Sequence, residues 1–185
     1  MRDLTRPASA RVPASLLIRP AEARDAEAVA AIYNEGIRGR GATFETTERS
    51  GDDVLRWLAP SGRLPRPFLV AERGDQILGW VRASEYRSRE CYDGVAEFSV
   101  YVASNARGQR VGDALMARFV EACAEGGIWK ILSRIFPENT ASRSLCVRHG
   151  FREVGVYERH AQLDGVWRDV VIVERLIPGN QPGGV

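Results

Sequence analysis

The sequence contains few of the residues that form metal sites and disulfide frameworks. Its three cysteines, Cys91, Cys123 and Cys146, are widely spaced, and no CxxC pair occurs. An odd number of scattered cysteines predicts reduced thiols in a cytoplasmic protein rather than a disulfide-stapled secreted domain. The two histidines, His149 and His160, are too few and too isolated to indicate a zinc site. We therefore expect no bound metal.

A large excess of charge of one sign is also missing. The chain has 26 Lys and Arg residues against 24 Asp and Glu residues, a formal net charge of +2. A dedicated nucleic-acid-binding protein would carry a basic stripe, so this balance argues against a nucleic-acid partner. No apolar run is long enough to span a bilayer, and the N-terminus lacks the apolar core of a secretory signal. We expect no membrane partner.

What the chain does contain is the composition of one globular domain. Hydrophobic residues make up 44% of the 185 residues and charged residues 27%, close to the globular average. Apolar periodicity begins near residue 16 and stops near residue 177. We predict a single domain over residues 16–177, a disordered extension over residues 1–15, and a disordered tail over residues 178–185.

Apolar spacing within this domain alternates between strand and helix periods. The predicted order is β-α-α-β-β-β-α-β-α-β-β, which implies an α/β fold with helices packed on a mixed sheet. Ser50 with Asp53 is typical of a capping box, and Asn139 is typical of a helix N-cap. Asp164 with Gly165 predicts the turn of the last hairpin.

A glycine-bearing turn follows the long strand predicted over residues 95–102. Residues 107–112 read Arg-Gly-Gln-Arg-Val-Gly and lead into a helix. Backbone N–H groups at a helix start lie unpaired at the positive end of the helix dipole, which suits a phosphate or pyrophosphate. The patterns GxxxxGK[ST] and GxGxxG are absent, which excludes a P-loop and a dinucleotide fingerprint. Taken alone, the turn is more simply explained as a strand-to-helix connection.

The turn occurs together with two further motifs in an order that characterises one superfamily. Residues 100–102, 107–112, 139–142 and 150–151 together resemble the GCN5-related N-acetyltransferases (GNAT). The similarity covers nearly all of residues 16–177. It implies a mostly antiparallel central sheet flanked by helices, with acetyl-CoA as co-substrate.

The resemblance also implies which residues contact acetyl-CoA. The strand would pair its backbone with the pantetheine arm, the turn would hold the pyrophosphate, and the cap of the later helix would bond the arm. These residues are Val100, Tyr101, Val102, Arg107, Gly108, Gln109, Arg110, Val111, Gly112, Asn139 and Ser142. For Asn139 a plain N-cap role is the alternative, and the two roles can coexist.

One residue of the turn departs from the family pattern, which has a glycine where this chain has Arg110. An arginine reaches positive φ only at an energetic cost, so we do not expect close backbone approach at this position. The guanidinium of Arg110 could face a phosphate of CoA instead.

A narrower resemblance concerns the branch of the superfamily. Similarity to the phosphinothricin N-acetyltransferases is carried by residues 32–34, 42–44, 86–102 and 167–169. Within that branch, residues 89–92 and 134–140 look most like the arsinothricin N-acetyltransferases, whose substrate is an arsenic-bearing glutamate mimic. The resemblance implies acetylation of the α-amino group of such an acceptor, a role in resistance or detoxification, and a homodimer.

Glu97 interrupts the apolar strand that carries the predicted pantetheine contacts. Acetyl transfer requires an unprotonated amine, whereas an α-amino group is largely protonated near neutral pH. A carboxylate can take that proton directly or through a water molecule. The position of Glu97 in an apolar strand predicts partial burial and a raised pKa. In the branch that this chain resembles, a glutamate here is the base; a structural ion pair with a neighbouring arginine is the alternative.

Two arginines follow the preceding strand and are candidates for acceptor binding. Arg87 and Arg89 would point to the same side of an extended segment and could bind two anionic groups. The basic substrate residues of the branch match these positions, although a solvated loop is the alternative. Tyr92, Thr43 and Phe44 are further candidates for the substrate wall, and packing explains them equally well.

Cys146 stands where many GNAT enzymes have a tyrosine that protonates the leaving thiolate. Its thiol could donate a proton, but a small buried side chain is the simpler interpretation. Two other functions stay open. One is acetylation of another small amine, such as methionine sulfone, methionine sulfoximine, an amino acid or a polyamine. The other is a non-catalytic acyl-CoA-binding module, which Arg110 and the missing tyrosine would fit.

Overall fold

The computed structural model describes residues 15–60 and 62–181. Its strands are β1 (Leu17–Pro20), β2 (Phe68–Arg73), β3 (Gln76–Glu85), β4 (Val95–Val102), β5 (Lys130–Ile135), β6 (Arg152–Leu163) and β7 (Val166–Leu176). Its α-helices are α1 (Ala26–Arg38), α2 (Gly51–Leu58), α3 (Val111–Glu125) and α4 (Thr140–Arg148). This chain order confirms the one predicted from apolar periodicity. Within these ranges, no helix combines the length and apolarity that crossing a bilayer requires.

The strands form one sheet in the order β1-β2-β3-β4-β5-β7-β6. Only β4 and β5 pair in parallel, and every other neighbouring pair in the described sheet is antiparallel. The mixed, mostly antiparallel sheet expected from the GNAT resemblance is therefore confirmed.

The parallel pair separates after three residues. Val95, Ala96 and Glu97 pair with residues 130–132 of β5, and the register ends there. Just beyond the paired residues, Ser133 Oγ donates to the Phe98 carbonyl at 2.9 Å. From Ser99 to Val102, the edge of β4 that faces β5 has no strand partner in the described part of the chain. The sheet is thus open at its centre, where the chain carries its predicted cofactor contacts.

Local signals in the sequence account for the ends of several elements. The Ser50 hydroxyl accepts the Asp53 N–H, and the Asp53 carboxylate accepts the Ser50 N–H at 2.8 Å, which is the predicted capping box of α2. Asp164 and Gly165 have φ values of +48° and +80°, as the tight turn between β6 and β7 requires.

Helices cover both faces of the sheet. On one face, Tyr33 of α1 and Trp57 of α2 pack against Trp80 of β3, with ring centroids 5.7 and 6.1 Å apart. On the other face, Phe98 of β4 packs against Phe119 of α3 at 5.8 Å. Because side chains alternate along a strand, the face with α1 and α2 also carries Glu97, Ser99 and Tyr101.

The described chain continues past the predicted end of the domain at residue 177. Pro178–Asn180 forms a 3-10 turn, and the Asn180 amide donates to the carbonyls of Ala124 and Ile128 at 2.7 and 3.0 Å. Residues 1–14 of the predicted extension and residues 182–185 of the predicted tail lie outside the described residues.

Candidate active site

The diverging strands open onto a cavity of about 600 Å³ beside the C-terminal half of β4. Its walls come from the end of α1, the turn before α3 and the start of α4. Among the residues predicted to contact acetyl-CoA, those that line the cavity are Val100, Tyr101, Val102, Arg107, Gly108, Arg110, Val111, Gly112, Asn139 and Ser142. Gln109 does not line it, because its side chain bonds the Arg73 guanidinium and the Asn105 carbonyl, both at 2.8 Å.

The turn before α3 contains two residues in the left-handed conformation. Gly108 has φ +73°, and Arg110 has φ +61° and ψ +16°. Arg110 therefore adopts the positive φ that is energetically costly for an arginine. The Arg110 carbonyl accepts the Ala114 N–H at 3.1 Å, so the first bond of α3 offsets part of the backbone cost. The first N–H groups of α3, beginning at Val111, have no acceptor within the helix.

Positive charge surrounds this turn. Arg107 and Arg110 form no ion pair with any residue in the described ranges. Arg148, at the end of α4, pairs with Asp113 at 3.0 Å. Hydrogen bonds from Arg148 and then from His149 hold the pKa of the Asp113 carboxyl below its usual range. Free guanidinium groups beside unpaired N–H groups are chemically suited to a phosphate-bearing ligand.

Asn139 ties two walls of the cavity together. Its Oδ1 accepts the Ser142 N–H at 3.1 Å, which is the predicted N-cap of α4. Its Nδ2 donates to the Gly41 carbonyl at 3.3 Å, across 98 residues of sequence. Asn139 thus has a structural role beside any contact to a ligand.

Glu97 lies near the other end of β4 and forms an ion pair with Arg134 of β5 through Oε1. The pairing that was the alternative interpretation of Glu97 is therefore present. Glu97 Oε2 accepts no hydrogen bond from the described protein groups. The carboxylate is 26% exposed, and the next residue on the same face, Ser99, is exposed although β4 is the central strand. The sheet face around Glu97 and Ser99 is therefore open to solvent, and this part of the face is called the groove.

A profile of the Acetyltransferase (GNAT) family matches residues 29–151. The chain belongs to this acetyltransferase family. The matched segment includes the open strand β4, the turn before α3 and the cap of α4, so the family assignment and the cavity concern the same residues. The chain is accordingly an acetyltransferase.

Individual acetyltransferases are similar over most of the chain. The phosphinothricin N-acetyltransferase of Alcaligenes faecalis is 35% identical over 153 residues, 82% of this chain and 77% of the relative. The L-methionine sulfoximine/L-methionine sulfone acetyltransferase of Pseudomonas paraeruginosa (strain DSM 24068 / PA7) is 29% identical over 161 residues, 86% of this chain and 94% of the relative. The crystal structure of a phosphinothricin acetyltransferase from Sinorhizobium meliloti in complex with AcCoA superposes with a TM-score of 0.80 and 28% identity, covering 88% of each chain.

The residues of the cavity fit acetyl-CoA. The open edge of β4 provides peptide groups for an amide-bearing arm, as an added strand would use them. Gly108 has no atom within 4 Å of the position of an added Cβ, so the turn has room for a ligand. Arg107 and Arg110 place two positive charges in the wall of the cavity, where the phosphates of CoA would need them. The described ranges hold no group of three His, Cys, Asp or Glu side chains suited to a metal ion.

The predicted acceptor residues fall into two groups, one in the loop between β3 and β4 and one in the loop after α1. Arg87 and Arg89 are exposed in the loop between β3 and β4, where the Arg87 guanidinium lies over the Tyr86 ring at 5.2 Å. Tyr92, in the same loop, packs edge-on against Tyr86 at 5.6 Å. None of these three side chains lines the 600 Å³ cavity.

Thr43 and Phe44 have structural contacts in the loop after α1. The Thr43 hydroxyl lies 3.3 Å from the Tyr33 hydroxyl, and burial raises the pKa of Tyr33. Phe44 packs edge-on against Phe136 at 4.8 Å, in a small cluster under the β6–β7 hairpin. For Phe44, the packing interpretation accounts for the contacts that the structure shows.

Cys146 is fully buried in the core. Burial raises the pKa of its thiol to about 12. Such a thiol gives up its proton too reluctantly to protonate a thiolate whose ordinary pKa is about 8.5. The structure thus favours a packing role for Cys146.

Arg134 and Arg148 lie among the candidate site residues but were not predicted from the sequence. Arg148 follows Ala141 and Leu145 at helical spacing, and all three line the cavity, so the face of α4 was detectable in the sequence. Arg134 carries no such signal, because its partner Glu97 lies 37 residues away on another strand.

Proposed function

We propose that this acetyltransferase transfers the acetyl group of acetyl-CoA to the α-amino group of a small glutamate-mimic amino acid of the phosphinothricin or arsinothricin type. The observation that carries the proposal is the arrangement of β4. One strand presents both an open edge beside the phosphate-binding turn and a carboxylate next to an exposed groove. The relatives named for phosphinothricin supply the acceptor class.

Glu97 is proposed as the base, with Oε2 as the oxygen that accepts the proton of the acceptor amine. The neutral amine nitrogen then forms a bond to the acetyl carbonyl carbon, the carbon–sulfur bond breaks, and the nitrogen gives its second proton to the departing sulfur, so that CoA leaves as the thiol. Arg134 holds Oε1 and thereby orients the carboxylate. The amine attacks directly within a ternary complex, so no acetylated protein group forms. Burial of Cys146 supports this route, since that thiol cannot reach a substrate without unpacking α4.

Arg87, Arg89 and Tyr92 are proposed to close over the acceptor from the loop that precedes β4. That loop lies at the Glu97 end of the strand, whereas the turn before α3 lies at its other end. Acceptor and acetyl donor would therefore approach from opposite ends of β4. A resistance or detoxification role follows if the acceptor is a glutamate-mimic toxin, and a cytoplasmic location is the setting in which Cys91, an exposed free thiol, stays reduced.

A homodimer is also proposed, with β6 at the interface. β6 is an edge strand of twelve residues, and its exposed side chains include Val154, Val156 and Tyr157. Long apolar edge strands are rarely left uncovered in soluble proteins. Light scattering coupled to gel filtration would show a mass near twice 20.5 kDa. A monomer at micromolar concentration would contradict the proposal.

A second acceptor class is supported by a specific finding. The Pseudomonas paraeruginosa relative that is named for methionine sulfoximine and methionine sulfone covers 86% of this chain. These acceptors share the amino acid backbone with phosphinothricin but carry a side group without net charge. The chemistry at Glu97 would be the same, and only the side-group pocket would differ.

The experiment that tests the proposal measures CoA thiol release from acetyl-CoA with a panel of acceptors. The panel holds arsinothricin, phosphinothricin, methionine sulfone, glutamate, a polyamine and a short peptide. We expect the highest kcat/KM with the arsenic or phosphorus compound. Turnover restricted to another acceptor would overturn the acceptor assignment. Tight acetyl-CoA binding without release from any acceptor would instead indicate an acyl-CoA-binding module.

A further inference from the structure

Arg82 lies on the groove face of the sheet, one strand away from Glu97. In the antiparallel register, Arg82 pairs with Ser99 and Ser84 pairs with Glu97. Directly paired residues share a face, as do residues two apart, so Arg82 and Glu97 are diagonal neighbours on one face. Such diagonal neighbours are about 7–8 Å apart. The exposed Ser99 lies between them and leaves the space above it open.

The guanidinium of Arg82 has no anionic partner. It is partly buried, lies over the Trp57 ring at 5.4 Å, and makes no hydrogen bond or ion pair with residues of the described chain. Burial lowers the pKa of Arg82, with no carboxylate near enough to oppose that effect. The other strand arginine of the groove, Arg134, is paired with Glu97 and is therefore not free for an acceptor.

A second cavity of about 520 Å³ adjoins Arg82 between α2, the loop before β2, and β3. Two further arginines line it, and no acidic residue does. Arg63 is neutralised by Glu90 at 2.8 Å and Asp93 at 3.3 Å. Arg66 donates to the Asp93 carbonyl at 2.7 Å. Arg82 is thus the arginine of this cavity without a polar contact to the described protein.

A desolvated cation without a counter-charge costs free energy unless a ligand supplies the anion. We propose that Arg82 binds the acidic side group of the acceptor. The inference rests on the proposed function and names the residue that would select an anionic acceptor. In an extended glutamate-like molecule the amine and the side-group acid are roughly 5–6 Å apart by standard bond lengths. Glu97 and Arg82 share one open face of the sheet across Ser99, so an acceptor of this length can lie between their side chains.

Arg82 differs from the loop arginines, Arg87 and Arg89, in how strongly its charge would act on an acceptor. Arg87 and Arg89 are exposed, where water and salt screen their charge. Arg82 has Trp57 on one side and the sheet below, so its contact with an anion is less screened. Arg82 would therefore supply most of the discrimination between anionic and uncharged side groups.

The test replaces the charge and keeps the apolar stem, as Arg82→Met, and compares two acceptors. Phosphinothricin carries the acidic side group, and methionine sulfone does not. We expect Arg82→Met to raise KM for phosphinothricin roughly 10- to 100-fold, with kcat changed less than about threefold. KM for methionine sulfone should change less than about twofold. Arg82→Lys should recover part of the phosphinothricin affinity, because it restores the charge without the planar fork.

Arg56→Met is the matched control. Arg56 lies next to Trp57 in α2, but its side chain is exposed and paired with Asp53. Equal KM increases for both acceptors in Arg82→Met would indicate a structural role and overturn the inference. An unchanged phosphinothricin KM in Arg82→Met, with a rise in Arg87→Met, would overturn it in favour of the loop. Thermal midpoints of each variant identify loss of folding, and Arg82→Lys keeps the test valid if the Met variant unfolds.

Calorimetric titration of phosphinothricin into the CoA-bound protein separates this inference from the proposed function. Binding that is lost in Arg82→Met supports the site even if turnover is slow. Acetylation of phosphinothricin with the same KM in wild type and Arg82→Met would leave the proposed function intact and refute the role of Arg82. Absence of both binding and turnover in the wild type would overturn both.

Discussion

Replacing Glu97 by Gln separates a catalytic carboxylate from a structural one. The substitution keeps the size of the side chain and removes both the base and the charge paired with Arg134. General base catalysis is typically worth about 10²–10⁴ in rate, so kcat near neutral pH should fall by that factor. Acetyl-CoA affinity should be unchanged, because Glu97 does not line the 600 Å³ cavity.

The stability effect should be small by comparison. The two partners of the Glu97–Arg134 pair are 26% and 36% exposed, and pairs of this kind contribute about 0.2–1 kcal/mol. For a domain of this size, such a loss lowers the thermal midpoint by at most about 4 °C. A purely structural Glu97 would therefore produce a small stability change and no comparable loss of rate.

Arg134→Met is the matched control, since it breaks the same ion pair and leaves the carboxylate in place. We expect a similar shift in thermal midpoint and a kcat loss of less than about tenfold, the limit for removing one partly exposed pair. The assay is steady-state CoA release over a pH series. The defect of Glu97→Gln should shrink at high pH, because the acceptor amine then loses its proton without help. Full kcat in Glu97→Gln at neutral pH, or equal losses in both variants, would refute the base role.

Three further substitutions test other parts of the structure. Arg110→Gly keeps the left-handed backbone and removes the guanidinium. Calorimetry should therefore show acetyl-CoA binding weakened roughly tenfold at low salt and less at high salt. Unchanged or tighter binding would contradict a contact between Arg110 and a phosphate. In Gly94→Ala, the added Cβ would lie 1.8 Å from Trp129 Cε3, and thermal unfolding should show a loss of roughly 2–3 kcal/mol. Gly155→Ala, with no atom within 4 Å of the added Cβ, is the control. Equal thermal midpoints for the two variants would refute the predicted clash between residue 94 and Trp129. Cys146→Ala should keep kcat within about twofold, because the thiol is fully buried in the core and burial raises its pKa. A large loss of kcat in a folded variant would contradict this.

Local sequence determined the elements of this protein and much of the lining of the 600 Å³ cavity. The capping box at Ser50, the N-cap at Asn139 and the turn at residues 164–165 depend on neighbours within four residues, so short patterns are sufficient to predict them. The strand at residues 100–102 and the turn at 107–112 are also close in sequence. Their place in one cavity follows once the strand is known to lead directly into α3.

Which charged side chains lie next to one another depends on the tertiary structure alone. The β4–β5 register stops at Glu97, which opens the sheet and brings Arg134 to the carboxylate from 37 residues away. The β3–β4 register places Arg82 beside Glu97, while the arginines that looked suitable in sequence remain in an exposed loop. Cross-strand neighbours depend on register, and a shift of one residue would exchange every facing side chain. Periodicity predicts that a strand exists but does not determine its register, so the charged neighbours of Glu97 could be identified only from the fold.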